Sequence, residues 1–114
     1  MKEDDVEELK NKLRSYNLKE ISFSKHARNQ IILRESNEEE IASHLLYPDK
    51  LVYSYQEKGK MGSIIHCLHF RISNTRTIRL PVIFDKGGKK NLYILTYIMR
   101  HRAWQNMVKR GKGR

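Results

Sequence analysis

Hydrophobic residues recur at three- and four-residue spacing through the first part of the chain. In the first such stretch they are Val6, Leu9, Leu13 and Tyr16. This spacing is typical of an amphipathic helix that packs one face on a core. Ser24 and Asn37, both good capping residues, precede two further periodic stretches. The pattern therefore predicts three N-terminal helices, over residues 4–17, 24–34 and 37–47.

From Asp49 onward the period changes to two, which predicts β-strands. The predicted strands cover residues 51–55, 63–72, 77–84 and 91–99. Residues 19–23, before the second helix, also alternate in polarity and suit a short strand or an extended linker. Pro81 lies inside one of them and predicts an edge or a bulge, because a proline removes a donor from the sheet. Residues 91–99 are apolar on both faces, so we expect them to form the central strand. The short connections between strands imply antiparallel pairing.

The order of elements predicts an α+β fold, in which N-terminal helices pack on a four-stranded antiparallel sheet and a short helix over residues 102–109 follows. The length of 114 residues suits one domain with one core. We therefore expect a single domain over residues 1–114. Within it, residues 1–18 hold the first helix, and residues 110–114 form a flexible basic tail.

Positive charge is concentrated in the second half of the chain. The net charge is +10, and residues 58–114 carry fourteen Lys or Arg against one acid, Asp85, whereas residues 1–57 carry nine against twelve acids. Such a concentration attracts polyanions and speeds their arrival, so RNA or DNA is the expected partner. No apolar run approaches the ~20 residues of a membrane span, and the first residues lack the apolar region of a signal peptide. We expect a cytoplasmic protein without a membrane partner.

The sequence does not favour metal-dependent chemistry. The single cysteine, Cys67, permits no internal disulfide. His66 and His69 flank it with ligand types that suit zinc, but a strand would point them to opposite faces. Asp85 is the only acid after Glu57, which argues against a two-metal nuclease. We expect no metal and no cofactor.

The remaining His, Arg, Lys and Tyr side chains suit metal-independent cleavage of RNA. In that reaction a histidine transfers protons to and from the ribose and phosphate oxygens, and cationic groups stabilise the phosphorane. His26 and Arg34 fall within one sector of about 80° on the second helix. With His101, they are the candidate catalytic residues, and Tyr97 and the strand histidines His66 and His69 rank behind them. The candidate nucleic-acid-binding residues are Arg28, Arg71, Arg79, Lys89, Lys90, Arg100 and Arg102.

Several of these residues also have a purely structural interpretation. His26 can cap or pack the second helix, and Arg34 can form a salt bridge with the glutamates at 38–40. His66 shares a strand face with apolar residues, a setting typical of a hydrogen-bonded core histidine. The basic residues at 100–102 can be a plain electrostatic patch.

Several short motifs follow one another along the chain. The chain reads Ser-Lys-His-Ala at 24–27, then Arg34, Asn-Glu-Glu-Glu-Ile at 37–41, Tyr-Pro-Asp at 47–49 and Tyr-Ile-Leu-Thr-Tyr at 93–97. This order resembles a family of small uncharacterised domains that is grouped with the RelE-like toxins, and the resemblance covers residues 21–99. His26 and Arg34 match positions that the family motif fixes. Gln30 stands where the family has its first arginine, and Glu35-Ser36 replaces a pair of glycine and a hydrophobic residue.

The resemblance implies a RelE-like fold and an RNA-cleaving or translation-blocking activity that an acidic antitoxin protein holds inactive. We therefore expect a RelE-like RNA-targeting protein, a metal-independent endoribonuclease of a toxin–antitoxin system, acting on free or ribosome-associated RNA. Two alternatives stay open. One is a non-catalytic nucleic-acid-binding module, and the other is an interaction protein that docks an acidic partner.

Overall fold

Three helices pack on one face of a seven-stranded sheet in the computed structural model, which describes residues 2–101. The helices are α1 (Val6–Arg14), α2 (Lys25–Leu33) and α3 (Glu38–Leu46). The strands are β1 (Lys2–Glu3), β2 (Ile21–Phe23), β3 (Leu51–Lys58), β4 (Ile64–Arg71), β5 (Thr77–Phe84), β6 (Leu92–Ile94) and β7 (Ile98–Arg100). This confirms the α+β class. None of these helices is long and apolar enough to cross a membrane. The predicted helix over residues 102–109 and the tail at 110–114 lie outside the described residues.

Each helix begins at a residue whose side chain caps it. The side-chain oxygens of Asp5, Ser24 and Asn37 each accept a hydrogen bond from the N–H three residues later, at 2.7 to 3.1 Å. The three predicted N-terminal helices are thereby confirmed. The first is shorter than residues 1–18, because β1 pairs with β3 before it and residues 18–20 form a 3₁₀ turn after it.

The strand order is β1-β3-β4-β5-β6-β2, and β7 also pairs with β5. All pairs are antiparallel except β2 with β6, which run parallel. The prediction of four antiparallel strands was therefore wrong in number and in one pairing. Of the two added edge strands, β1 has two residues, which is too short for a periodic signal, and β2 lies within residues 19–23, where the alternation allows a strand or a linker. Residues 91–99 are not central; β4 and β5 are.

A bulge beside Pro81 divides the predicted strand 91–99 into β6 and β7. Val82 pairs with Ile94, but Arg79 pairs with Ile98, so the β6–β7 segment holds one extra residue. The Leu95 N–H donates to the Pro81 carbonyl at 2.9 Å. Pro81 has no N–H to return that bond, and the Leu95 carbonyl instead accepts from the Ser24 hydroxyl at 2.6 Å. Of the two predictions from Pro81, an edge or a bulge, the bulge is the one observed, because β5 lies between β4 and β6. The hydroxyl that caps α2 satisfies the free carbonyl at this bulge.

The core lies between the helices and the face of the sheet that they cover. The bulge turns Tyr97 toward this core, where its ring is fully buried and its hydroxyl lies 2.8 Å from Ser36 Oγ. The largest other core side chains are Leu13, Ile41, Leu45, Leu51, Leu68, Phe70, Ile78, Leu80, Leu92 and Ile94. The buried side of α1 packs on this core. Its exposed side lies next to the loop between β5 and β6.

Candidate nucleic-acid interface

Two adjoining clefts lie between α1 and the loop at residues 85–91, which joins β5 to β6. Their volumes are about 470 and 500 Å³, and both are lined by Lys12 and Asp85. We call the pair the lysine groove, after the four exposed lysines that line it: Lys12, Lys86, Lys89 and Lys90. Asp85 is the one acidic residue among its described lining residues. A groove of this charge suits a polyanion.

The loop at residues 85–91 has a defined conformation that presents three of these lysines. Gly87 and Gly88 take positive φ of +75° and +77°, a backbone region that suits glycine. The Asn91 side chain donates to the carbonyls of Lys86 and Lys89, at 2.8 and 3.0 Å. The Asp85 N–H donates to the Asn91 carbonyl at 2.7 Å. The loop is therefore closed by its own hydrogen bonds.

Asp85 joins this loop to α1. Its carboxylate accepts a hydrogen bond from the Tyr16 hydroxyl at 2.6 Å and lies 3.8 Å from the Lys12 ammonium. The Tyr16 hydrogen bond and the nearby lysines hold the pKa of Asp85 below its usual value. Burial and the Asp85 charge together raise the pKa of Tyr16 above its usual value. Asp85 is therefore an ionised anchor, and Tyr16 stays a neutral donor.

Aromatic rings support three of the four lysine side chains. The ammonium of Lys12 lies 4.9 Å from the Phe84 ring centre, and that of Lys86 lies 4.0 Å from the Tyr93 ring centre. The ammonium of Lys90 lies 5.5 Å from the Tyr16 ring centre and donates to the Ser15 carbonyl at the end of α1, at 2.6 Å. An ammonium carries three donors, so each of these lysines keeps donors for a ligand phosphate.

His66 lines the second cleft of the groove. It lies on the helix-covered face of β4, with its side chain 17% exposed and its ring edge-on to Phe84 at 4.9 Å. Its Nδ1 lies 3.0 Å from a carboxylate oxygen of Asp4, whose side chain is 5% exposed. Asp4 also accepts from Ser54 and Gln56, both at 2.7 Å. Burial raises the pKa of Asp4, but these three hydrogen bonds outweigh it and lower the pKa below its usual value.

The three predicted catalytic residues lie elsewhere. His26 is exposed in the first turn of α2, Arg34 is exposed at its C-terminal end, and His101 is exposed directly after β7. None of them is among the residues that line the lysine groove. The structure therefore gives these three side chains no common cleft among those described above.

The predicted nucleic-acid-binding residues divide between the groove and other surfaces. Lys89 and Lys90 line the groove. Arg28 lies 3.6 Å from Glu38 in an exposed ion pair, a kind that contributes little to stability. Arg71 donates to Asn74 in the β4–β5 turn. Arg100 donates to the Met99 carbonyl at 3.2 Å. Arg102 lies outside the described residues.

Arg79 belongs to a polar cluster on the opposite face of the sheet. Its guanidinium donates to the Tyr55 hydroxyl at 3.0 Å and lies 3.7 Å from Cys67 Sγ and 3.9 Å from Glu57. Burial lowers the pKa of His69, which is 2% exposed, to about 4. Burial also raises the pKa of Tyr55 to about 12 and raises that of Cys67. At neutral pH these three groups are uncharged. The contacts of Arg79 with Tyr55, Cys67 and Glu57 give it a structural role in this cluster.

Sequence reasoning missed three contributors to the groove, Lys12, Lys86 and Asp4, and favoured a core role for the fourth, His66. Lys86 stands in the glycine-rich cationic turn, which was the available signal for it. Asp4 and His66 come from distant parts of the chain, and no spacing rule connects them. Among residues 2–101, no group of three or more His, Cys, Asp or Glu side chains is placed to hold a metal ion.

Comparison with known proteins gives no match: no protein-family model, no curated protein and no solved structure is similar to this chain. The RelE-like fold and activity therefore stay predictions from the motifs. The geometry and charge of the groove support binding of a polyanion.

Proposed function

We propose that this protein is a RelE-like RNA-targeting protein, a metal-independent endoribonuclease of the toxin–antitoxin type, that holds the RNA backbone in the lysine groove. The observation that carries the proposal is the convergence of four lysines, from α1 and from the β5–β6 loop, around two adjoining clefts with a single lining acid. The resemblance of the motifs supplies the toxin part of the proposal. An acidic antitoxin and cytoplasmic RNA are the partners that it implies.

The lysines suit contact with phosphates more than recognition of bases. A lysine ammonium is a compact point charge on a flexible stem, and it binds phosphate without the fixed planar geometry of arginine. Contacts to phosphates position a nucleic acid but read no sequence directly. The groove is therefore expected to give affinity that depends strongly on salt and weakly on RNA sequence.

Binding is tested by removing two groove charges. The Lys86→Gln/Lys89→Gln variant is compared with Lys25→Gln/Lys50→Gln, which removes the same net charge from exposed sites outside the groove. Fluorescence anisotropy with a labelled single-stranded RNA gives the affinity at several salt concentrations. We expect the groove variant to lose affinity about tenfold and its salt slope to fall by about 1.4, since each phosphate contact on a single strand contributes about 0.7. Equal losses in both variants would mean diffuse charge without a groove, and salt-independent binding would contradict the proposal.

Cleavage is tested with the same RNA in the presence of EDTA. We expect products that end in a 2′,3′-cyclic phosphate, and no cleavage of an RNA with deoxyribose at the cut position, because the 2′-hydroxyl is the nucleophile. Tight binding without products at any protein ratio would instead identify a non-catalytic binding module. Unchanged cleavage by His26→Ala and His101→Ala would remove both histidines from the candidate catalytic set.

A further inference from the structure

One of the five histidines lines the lysine groove, and that is His66. His26 and His101 are exposed elsewhere. His44 packs on Phe70 from α3, with ring centres 6.2 Å apart, and His69 faces the other side of the sheet, 3.1 Å from the Cys67 carbonyl. An imidazole placed beside bound phosphates can transfer protons in RNA cleavage. His66 is therefore the histidine that the groove places beside a bound phosphate.

The surroundings of His66 fix which of its nitrogens is available. Asp4 is ionised and accepts from Nδ1, so the proton of the neutral ring is on Nδ1. Among residues 2–101 no hydrogen bond involves Nε2, which keeps its lone pair. Phe84 packs against the ring and holds its orientation. A carboxylate that orients an imidazole in this way is a recurrent arrangement for a general base.

Asp4 is itself held firmly. Ser54 and Gln56 donate to its two carboxylate oxygens, and its own N–H donates to the Ser54 carbonyl at 2.9 Å. The carboxylate thus cannot rotate away from His66 without breaking bonds to β3. Proton transfer requires a precisely placed imidazole, and a carboxylate that is itself held by hydrogen bonds can place it.

We infer that His66 is the catalytic base that removes the 2′-hydroxyl proton of RNA bound in the lysine groove, and that Asp4 is its positioning residue. This inference rests on the proposed function. His66 Nε2 takes the proton as the 2′-oxygen bonds to phosphorus. The bond from phosphorus to the 5′-oxygen breaks, and that oxygen takes a proton from water. The products are a 2′,3′-cyclic phosphate and a 5′-hydroxyl, and the imidazolium returns its proton to the hydroxide that forms.

The charged groups near His66 fit these steps. Asp4 stabilises the imidazolium, and Lys12 and Lys86, which line the same cleft, lie where they can neutralise the phosphorane. Asp85, the remaining charged group of this cleft, is engaged by Tyr16 and Lys12. No metal ion and no other co-reactant is needed to balance the reaction.

The test separates cleavage from binding in four variants of the full chain. His66→Ala removes the imidazole, and His66→Asn keeps an N–H that can reach Asp4 but cannot take the proton. Asp4→Asn removes the carboxylate charge. His44→Ala is the matched control, since His44 is a part-buried histidine outside the groove. Thermal unfolding confirms that each variant is folded, and anisotropy measures its RNA affinity.

We expect both His66 variants to bind RNA within about threefold of the natural protein and to cleave it about 10² to 10⁴ times more slowly. Added imidazole should restore part of the His66→Ala rate, in proportion to its unprotonated concentration. Asp4→Asn should lose about 10- to 100-fold, and His44→Ala should cleave normally.

Cleavage by His66→Asn at the natural rate would overturn the inference, and so would a slow His66→Ala variant that imidazole does not rescue, because a structural role predicts no rescue. A natural protein that binds RNA tightly but never cleaves it also overturns this inference and leaves RNA binding intact. A protein that neither binds nor cleaves RNA removes the proposed function as well.

Discussion

His69 shows how one buried residue can make stability depend on pH. Its ring is 2% exposed and packs between Tyr53 and Tyr55, at centre distances of 5.6 and 5.7 Å. Burial lowers its pKa to about 4, against about 6.5 in an unfolded chain. Between these values the unfolded chain binds more protons than the folded one. The contribution of His69 is therefore complete above pH 6.5 and is lost as the pH falls toward 4.

The His69→Phe variant tests this sign. Phenylalanine keeps an aromatic ring but does not titrate. From pH 7 to pH 5 we expect the natural protein to lose about 2 kcal/mol more unfolding free energy than the variant. Urea unfolding of both proteins at the two pH values gives the difference. An equal loss in both would show that His69 is not protonated on unfolding in this range.

At the scale of elements, Ser24 connects a helix to the sheet. The same hydroxyl accepts from the Ala27 N–H at 2.9 Å and donates to the Leu95 carbonyl at 2.6 Å. The first bond starts α2, and the second satisfies the carbonyl that Pro81 leaves without a strand partner. Among the described residues, the Asn37 side chain makes only a capping bond, at the start of α3.

This difference predicts unequal costs for two similar substitutions. We expect Ser24→Ala to lower the unfolding free energy by about 2–3 kcal/mol, because it removes a cap and leaves a part-buried carbonyl unsatisfied. Asn37→Ala should cost about 1 kcal/mol, since only a cap is lost. Chemical denaturation measures both. If the two costs are equal, the bond to Leu95 contributes nothing.

Ser24 and Pro81 also show what the sequence could predict. Capping residues before periodic stretches located all three helices, alternation located β3, β4 and β5, and the missing N–H of Pro81 predicted the bulge. The edge strand β1 has too few residues to carry a period. The alternation at residues 19–23 allows β2 but not its pairing, which depends on a distant partner.

The candidate site was less predictable for the same reason. Lys89 and Lys90 stood out because they are adjacent in a cationic turn. Lys12 faces them only because α1 packs across the sheet, and Asp4 reaches His66 only because β1 pairs with β3. Local patterns contain neither fact, so they favour His26, an exposed histidine in a helix motif, over the part-buried His66.

At the scale of the whole molecule, charge is separated between surfaces. The acidic residues Glu38, Glu39 and Glu40 are exposed in the first turn of α3, where the helix dipole favours them. Four lysines line the groove between α1 and the β5–β6 loop. A polyanion approaching the molecule is therefore attracted to the groove and repelled by the start of α3.

This separation predicts that the groove accepts acidic polypeptides as well as the proposed RNA. We expect poly-glutamate to displace labelled RNA at low salt, with a competing affinity that falls as salt rises. The Lys86→Gln/Lys89→Gln variant should respond less than Lys25→Gln/Lys50→Gln in the same competition assay. Failure of poly-glutamate to displace RNA would show that the groove recognises more than negative charge.

The parallel pairing of β2 with β6 has a consequence for the order of folding. It joins residues 21–23 to residues 92–94, so α1 and α2 have no complete sheet to pack on until nearly the whole described chain is present. Contacts between such distant segments form late, because closing the long intervening loop costs entropy. The lysine groove needs both α1 and residues 85–91. During synthesis the groove therefore forms only after residues 85–91 leave the ribosome, and a partly made chain lacks the proposed RNA-binding surface.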